Sequence, residues 1–252
     1  MKFSTRILSL ALIVVPAVPV LAVPAAAAAP AAAAPAAAAP VVVARYSFDT
    51  TVAGRLPDLS GRGTPLTIRT AAGGAVRYVT AGTNRYIGLP VRCTGTAACP
   101  RALLEGTDDP DLDPGTQTFR WGASINITKA QLDGSPNIMQ KGVSNTESQW
   151  KMQIGATHGR AQCVVVGRAT TKTPYLVRSS VAVADGTWHK VQCVRAGATL
   201  SVYVDGVARG SRAIPAALSL INAKPLRIGG PNFNAGSDMY HGYLDEVYAT
   251  LG

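Results

Sequence analysis

Residues 185–206 are the segment that most restricts how this chain can fold. Hydrophobic and polar residues alternate in two runs, 188–195 and 199–204, and Ala196-Gly197 separates the runs. An Asp-Gly pair stands at each end of the segment. A period of two between turn residues is typical of half-buried antiparallel strands joined by a hairpin. The segment therefore predicts a β-hairpin with an Asp-Gly turn on either side.

Comparable runs recur through most of residues 41–252. Short apolar stretches are separated by Gly, Asp, Asn and Pro, and little of this region has the period of an amphipathic helix. Regularly spaced short strands with such turns predict a sandwich of two antiparallel sheets. Trp121, Trp150 and Trp188 all stand in alternating runs, so we predict that all three pack in the core. His189 is expected to be a half-buried packing residue.

The first 40 residues differ in composition from the rest. A short basic start, an apolar run and small residues around Ala22 are typical of a cleavable secretory signal. We assign the signal to residues 1–22, with an alternative cut as late as residue 29. Residues 23–40 are nearly all Ala and Pro, which cannot build a core, and form a predicted linker. A membrane anchor is the competing interpretation, but prolines interrupt the short apolar run.

We therefore predict one secreted domain at residues 41–252, with no membrane span after signal cleavage. The formal net charge of the chain is +10, and loss of the two basic residues of the signal would leave +8. A basic surface attracts nucleic acid, acidic glycans or anionic lipids. The basic residues are scattered singly, however, which is typical of a solvated surface. We expect no specific nucleic-acid binding.

Four cysteines fit an oxidising compartment, in agreement with the export signal, and they allow three pairings. Cys93 and Cys99 stand in one loop with Gly and Pro, which a disulfide would close. Cys163 and Cys193 each stand in an apolar run, and their disulfide would join neighbouring strands. Zinc is the alternative, but neither pair has CxxC spacing and the chain has only three histidines.

Six segments of the chain, taken in order, resemble the laminin-G-like domains of the concanavalin A-like lectin/glucanase family, in its bacterial secreted branch. The segments are Tyr46-Ser47-Phe48-Asp49, Asp58-Leu59-Ser60-Gly61, Asn137 to Gly142, the hairpin from Trp188 to Gly206, Leu226 to Gly230, and Gly242 to Val247. The resemblance implies an all-β jelly roll of two antiparallel sheets over residues 41–252. It does not imply one function, because functions vary widely on such folds.

The acidic residues do not match a hydrolytic site. Glycoside hydrolases of this fold resemble one another by a strand with two Glu and an Asp at alternate positions, on one face of the sheet. The chain has three glutamates, and none has a carboxylate two residues away. Three aspartates alternate in residues 107–115, but two prolines disfavour a strand there, and the segment fails as an EF-hand. We predict a solvated turn for this segment and no catalytic residues.

The resemblance also implies a metal site. Relatives of this fold often hold a structural calcium beside the closing strand, and Asp245 stands at the matching place. Asp58, in a Gly-flanked turn, is a second candidate, because oxygen ligands in turns suit Ca²⁺. The alternatives are that Asp245 accepts hydrogen bonds from strand-end backbone and that Asp58 forms an Asx turn.

A glycan site needs exposed aromatic rings beside amides or carboxylates, because rings cover the apolar faces of sugars and polar groups fix their orientation. Five residues at loops or loop edges are the predicted ligand-binding residues: Tyr175, Phe233, Asn234, Tyr240 and His241. The sequence thus predicts a secreted, non-catalytic module that binds a glycan or another cell-surface component. The alternatives are a glycan hydrolase or lyase with an unrecognised site and an adhesion domain that binds protein.

Overall fold

The computed structural model describes residues 39–94, 99–145, 147–168, 173–234 and 236–252. The chain divides into two units, Met1–Ala37 and Ala38–Gly252, and the described residues belong to the second. The predicted signal peptide, and the linker as far as residue 38, lie outside them and remain predictions. No helix among the described residues is long and apolar enough to cross a membrane.

Fifteen strands and two short 3₁₀ helices form the described part of the chain. The strands are β1 Val41–Tyr46, β2 Thr67–Ala71, β3 Arg77–Ala81, β4 Asn84–Gly88, β5 Arg101–Glu105, β6 Phe119–Thr128, β7 Asn137–Gly142, β8 Gln149–Gly155, β9 Arg160–Val166, β10 Pro174–Ala182, β11 Asp185–Ala196, β12 Thr199–Val204, β13 Val207–Ala213, β14 Leu226–Ile228 and β15 Tyr243–Leu251. The helices are Pro110–Leu112 and Lys129–Gln131.

The strands build two antiparallel sheets. The eight-stranded sheet has the order β13-β12-β11-β6-β15-β4-β3, with β1 also paired to β15. The seven-stranded sheet has the order β10-β9-β8-β7-β14-β5-β2. The predicted all-β sandwich of two antiparallel sheets is therefore confirmed.

The core lies between the two sheets. β6 in the eight-stranded sheet turns Phe119 and Trp121 inward, and β8 in the seven-stranded sheet turns Trp150 inward; all three are fully buried. The ring centroids of Trp121 and Trp150 are 5.7 Å apart, and Phe119 lies within 5.3 Å of each. Such aromatic contacts across a sandwich account for a large part of its stability. The predicted burial of Trp121 and Trp150 is confirmed.

The predicted hairpin is β11 and β12, with the turn at Gly197. The next turn, between β12 and β13, has positive φ at Asp205 (52°) and Gly206 (79°), as a two-residue Asp-Gly turn requires. The Asp-Gly turn expected at the start of the segment is not there. Asp185 instead begins β11, and a bulge between Asp185 and Trp188 takes up the extra residue.

Both predicted disulfides are present in the structure. Cys93 and Cys99 close the loop between β4 and β5. The Cys163–Cys193 bond does not join neighbouring strands as expected, because Cys163 lies on β9 of the seven-stranded sheet and Cys193 on β11 of the eight-stranded sheet. Since both side chains point into the core, this bond ties one sheet to the other.

The acidic segment at 107–115 is not the solvated turn that we predicted. The ammonium group of Lys141 is fully buried and lies 2.9 Å from Asp108 Oδ1, 2.7 Å from Asp113 Oδ1 and 2.5 Å from the carbonyl of Asn222. Asp109 caps the helix Pro110–Leu112 by accepting a hydrogen bond from a backbone N–H. The segment therefore neutralises a buried lysine at the inner face of β7.

Candidate functional site

Three aromatic side chains meet on the outer face of the eight-stranded sheet. Tyr86 comes from β4, Trp188 from β11 and Tyr243 from β15. The centroid of Tyr86 lies 5.0 Å from that of Trp188 and 5.4 Å from that of Tyr243, with interplanar angles of 77° and 84°. These are edge-to-face contacts, which hold the rings in fixed orientations. We call these three residues the aromatic face.

Strand alternation explains why these rings point outward. Trp188 is three residues before the buried Val191, and Tyr243 directly precedes the buried Leu244, so each lies on the face opposite the core. The register places Trp188 beside Asn126 of β6, and Asn126 beside Tyr243. Trp188 remains 41% exposed. Its predicted place in the core is therefore wrong.

Two glycines let aromatic rings lie close to this sheet. A Cβ on Gly88 would stand 3.0 Å from Cε1 of Tyr243, and a Cβ on Gly122 would stand 2.6 Å from the ring of Tyr248. The Arg77 guanidinium lies 6.0 Å from the centroid of Tyr243, at the limit of a cation–π contact. Because these two glycines have no side chain, the rings of Tyr243 and Tyr248 can pack on the backbone.

A cavity of about 580 Å³ opens beside the aromatic face. Tyr86 and Trp188 supply its apolar wall, and Asn84, Asp205 and Asp245 are among the polar residues that line it. The cavity thus combines rings, an amide and carboxylates within one depression.

Asp245 is held in place by its neighbours on both sides. Its Oδ2 accepts a hydrogen bond of 2.9 Å from Asn84 Nδ2, and its Oδ1 accepts one of 2.8 Å from the backbone N–H of Glu246. Partial burial raises the pKa of Asp245, against the effect of these hydrogen bonds. Glu246 has a φ of 44° at a bulge in β15, and the extra residue keeps both Asp245 and Tyr248 on the outer face.

His189 lies between two carboxylates at the edge of the same cavity. Its Nδ1 is 2.8 Å from Asp205 Oδ2, and its Nε2 is 3.2 Å from Asp185 Oδ2. Partial burial lowers the pKa of His189, but the hydrogen bonds to Asp205 and Asp185 outweigh it, so the pKa is raised. Hydrogen bonds from Thr187 lower the pKa of Asp185 to about 2. His189 is half-buried, as we expected, but it also clamps Asp205 and Asp185 through hydrogen bonds instead of only packing.

The residues predicted to hold calcium lie in two places. Asp58 Oδ1 accepts a 2.6 Å hydrogen bond from the Arg45 backbone N–H, and its Oδ2 accepts one of 2.9 Å from Gly63. The oxygens of Asp58 and Asp245 thus already accept hydrogen bonds from other parts of the chain. Within the described ranges, no group of three or more acidic, His or Cys side chains is placed to hold a metal ion. These donors do not supply the six to eight oxygens that Ca²⁺ takes.

The predicted ligand-binding residues are not brought together. Tyr240 is fully buried, and its hydroxyl donates to the carbonyls of Asn126 (3.3 Å) and Tyr243 (3.1 Å) beneath the aromatic face. His241 is also buried, and its Nδ1 is 2.7 Å from the carbonyl of Pro90. Neither has the exposure that we expected of a ligand-binding side chain, because both side chains anchor the loop before β15 to the sandwich.

The other three predicted ligand-binding residues lie apart from the cavity. Tyr175 is on β10 of the seven-stranded sheet, half-buried, with the Arg212 guanidinium 5.3 Å from its ring centroid. The backbone carbonyls of Phe233 and Asn234 accept hydrogen bonds of 2.6 and 2.9 Å from Arg101. Sequence reasoning missed the aromatic face because it placed every tryptophan in a strand in the core. Trp188, however, is an odd number of residues from the inward Val191, and this spacing indicated the opposite face of the strand.

Comparisons with known proteins agree with this architecture. A laminin-G family model, described as the concanavalin A-like lectin/glucanases superfamily, matches residues 107–249. No curated protein matches the chain. Domain 4 of AbnA, an extracellular GH43 arabinanase from Geobacillus stearothermophilus in complex with arabinotriose, is similar with a TM-score of 0.62 at 17% identity, over 84% of this chain and 93% of that domain.

Two toxin structures are also similar. The binding domain of Paraclostridial Mosquitocidal Protein 1 has a TM-score of 0.60 at 13% identity, over 82% of this chain and 48% of that chain. A structure of botulinum neurotoxin type C, whose cell entry depends on interaction with two ganglioside molecules, has a TM-score of 0.59 at 11% identity, over 83% of this chain and 47% of that chain. The chain spans about half of each toxin chain, and at these identities the likeness concerns the fold.

Proposed function

This chain belongs to the concanavalin A-like lectin/glucanase superfamily, and from that premise we propose that it is a secreted, non-catalytic module that binds carbohydrate through the aromatic face. The observation that carries the proposal is Trp188, an exposed indole held edge-to-face by Tyr86 at the wall of a cavity lined with carboxylates. Exposed apolar surface rimmed by polar residues is typical of ligand-binding grooves and interaction sites.

The cavity offers both kinds of contact that a sugar needs. The apolar C–H face of a sugar ring would pack on Trp188, and its hydroxyls would donate to Asp205 and Asp245 or accept from Asn84. The neighbours solved with arabinotriose or linked to gangliosides give support at the level of the fold. The two disulfides agree with an extracellular location.

The test is a screen of neutral and acidic glycans followed by titration calorimetry on the best ligand. Trp188→Ala should weaken binding of that ligand about tenfold or more, because stacked aromatic contacts contribute about 1–3 kcal/mol in the related case of bases on rings. Tyr78→Ala is the matched control, since Tyr78 is 38% exposed on the same sheet but does not line the cavity. Equal losses in both variants, or no glycan bound at all, would contradict the proposal.

Prolonged incubation of the protein with the glycan that it binds decides between binding and hydrolysis. A hydrolase would release new reducing ends from the bound glycan, and a lyase would release unsaturated ends. We expect neither product after prolonged incubation. Products that appear with the wild type and disappear with Asp245→Asn would replace the binding module by a glycan-degrading enzyme.

Calcium at Asp245 remains a prediction of the resemblance. Calorimetric unfolding with calcium and with a chelator tests it, because an ion that binds the native state raises the unfolding midpoint. A midpoint that rises with calcium in the wild type but not in Asp245→Asn would place the ion at this residue. Equal midpoints would remove the metal from the site.

A further inference from the structure

A second cavity, of about 590 Å³, lies on the outer face of the seven-stranded sheet. It lies where β8, β9 and β10 run side by side. Gln153, Gln162 and Arg178 stand in one row across these strands, and Arg160 stands opposite Gly155 at the turn between β8 and β9. We call this cavity the amide groove.

The two glutamines form a pair with unused hydrogen-bonding capacity. Gln153 Nε2 donates to Gln162 Oε1 at 2.7 Å, and both side chains are buried. No other hydrogen bond joins the side chain of either residue to the described residues, so Gln162 Nε2 retains its donors and Gln153 Oε1 its acceptor. Gly155 lies against Gln162 Nε2, where a side chain would displace the amide. Among the described residues, neither Gln153 Oε1 nor Gln162 Nε2 is a buried polar atom without a partner, so both atoms are open to the groove. The pair can therefore donate to one ligand group and accept from another.

The charges around the groove have one sign. Arg160 and Arg178 both line it and are exposed, and neither makes an ion pair with any residue in the described ranges. No carboxylate of the described residues lines the cavity. Several other arginines do have acidic partners: Arg45 pairs with Glu246, Arg62 with Asp111, and Arg227 with Glu105. Two guanidinium groups without a counter-charge, beside preorganised amides, favour an anionic ligand.

The acidic group that contacts the wall of the groove is paired with a lysine. Asp238 Oδ2 lies 3.6 Å from Lys151 Nζ, and Asp238 Oδ1 accepts a 2.9 Å hydrogen bond from the backbone N–H of Ser135, which lines the groove. This carboxylate therefore holds the wall of the groove in place rather than compensating the arginines.

We propose that the amide groove is a second binding site, separate from the aromatic face, that takes a carboxylate-bearing saccharide. A planar carboxylate matches the fork of a guanidinium, which can form two parallel hydrogen bonds with it. Sugar hydroxyls both donate and accept, and therefore match the free acceptor of Gln153 and the free donors of Gln162. The half-buried Leu176 supplies the apolar contact for the C–H face of the sugar.

The probe is a galacturonic acid oligosaccharide, titrated into the purified protein at low and high salt. Its methyl ester keeps the saccharide but removes the charge, and single-stranded DNA offers negative charge without a carboxylate or a polyhydroxylated saccharide. We expect the acid form to bind, with weaker affinity at high salt, and to bind about tenfold more tightly than its methyl ester, since a charged hydrogen bond contributes about 1.5–3 kcal/mol.

Arg178→Gln and Arg160→Gln should each weaken binding of the acid oligosaccharide about tenfold, and Arg168→Gln should not. Arg168 is the matched control, because it is exposed and carries the same charge but does not line the groove. Gln162→Glu, which changes charge at nearly constant shape, should weaken binding at least as much, with thermal unfolding confirming that this variant is folded.

The outcomes separate this site from the aromatic face. Trp188→Ala should leave affinity for the acid oligosaccharide unchanged, so failure of one proposal leaves the other standing. Three results would each overturn the inference: no binding of the acid oligosaccharide, equal binding of its methyl ester or of DNA, or unchanged affinity in Arg160→Gln and Arg178→Gln.

Discussion

The cavities on the outer faces of the two sheets differ in chemistry. The cavity beside the aromatic face presents rings, an amide, the carboxylates of Asp205 and Asp245, one histidine and one lysine. The amide groove on the seven-stranded sheet presents amides and the guanidinium groups of Arg160 and Arg178, and within the described ranges it has no carboxylate in its lining. Both cavities are of similar size, about 580 and 590 Å³. The difference therefore comes from side-chain chemistry and not from the amount of space.

The comparison shows that the same alternation of inward and outward side chains produces two different outer surfaces. In both sheets, most inward positions are apolar, with Lys141 an exception, and outward positions alternate with them. On β11 the outward position next to the cavity is Trp188, and on β9 it is Gln162. The core needs only that the inward residues fit, so the outward residues are free to differ between the sheets.

The largest effect that we expect concerns Lys141, which makes the inner face of the seven-stranded sheet different from an ordinary core. Lys141→Met should lower the free energy of unfolding by about 3–5 kcal/mol, because it leaves the mostly buried carboxylate of Asp113 without its cation. Urea denaturation measures the change. Ligand binding at both outer faces should be lost at the same urea concentration, since the disulfide-linked sheets unfold together.

Lys224→Gln is the control for this prediction. Lys224 Nζ lies 2.9 Å from Glu147 Oε1, but both side chains are substantially exposed. An ion pair of this kind contributes about 0–1 kcal/mol. Equal destabilisation by Lys141→Met and Lys224→Gln would mean that the acidic segment at 107–115 is not the buried anchor that we describe.

The next effect concerns the bond between the sheets. Removing it with Cys163→Ala and Cys193→Ala together should cost about 3–4 kcal/mol in the chain-entropy model, for a sequence separation of 30 residues. The bond between Cys93 and Cys99 closes a loop with a separation of only 6, and its removal should cost about 2 kcal/mol. Denaturant unfolding of both double variants tests the order. A larger loss from the shorter loop would show that chain entropy does not govern these bonds.

Much of the sandwich could be predicted from local patterns. The alternation in β6 identified the inward positions of Phe119 and Trp121, and the spacing of the hairpin located β11 and β12. Period and turn chemistry act over a few residues, so a single sequence contains them in full. The disulfide pairing could also be predicted, but not its place, because Cys163 and Cys193 reveal nothing about which sheet each strand joins.

The candidate site could not be predicted in the same way. The aromatic face requires Tyr86, Trp188 and Tyr243 from three strands that are distant in sequence and become neighbours only through the strand order. Tyr240 illustrates the opposite error. It stands between loop residues that look exposed, yet its hydroxyl fills a place beneath Tyr243 because the loop before β15 folds back onto the sheet.

A smaller effect is the pH dependence of stability that we expect from His189, beside the aromatic face. The pKa of His189 is raised in the folded protein above its ordinary value of 6.5. The stabilisation of the folded protein by His189 is therefore complete below the pKa that His189 has in the unfolded chain. It is lost as the pH rises through the pKa that His189 has in the folded protein. The loss should be less than about 1 kcal/mol, because Asp185 and Asp205 are each about half exposed.

Unfolding measured across this pH range for the wild type and His189→Gln tests the clamp. The difference between the two proteins should shrink as the pH rises, and NMR titration of the imidazole should give a pKa above 6.5. His158→Gln is the control, since His158 is exposed and lies in no ion pair within the described residues. If His158→Gln reproduces the same pH profile, the carboxylates around His189 are not its cause.

The smallest expected effect is an interaction energy near zero between the two outer faces. Trp188 and Arg178 lie on opposite sides of the sandwich, and packed sheets alone are separated by about 10 Å. Stability changes at that distance usually add within about 0.3–0.5 kcal/mol. The free energies of unfolding of Trp188→Ala, Arg178→Gln and the double variant should therefore be additive within that margin, and each ligand should bind with the same affinity whether or not the other is present. A larger interaction energy would mean that the core transmits strain between the faces, and the two cavities would then have to be treated as one coupled system.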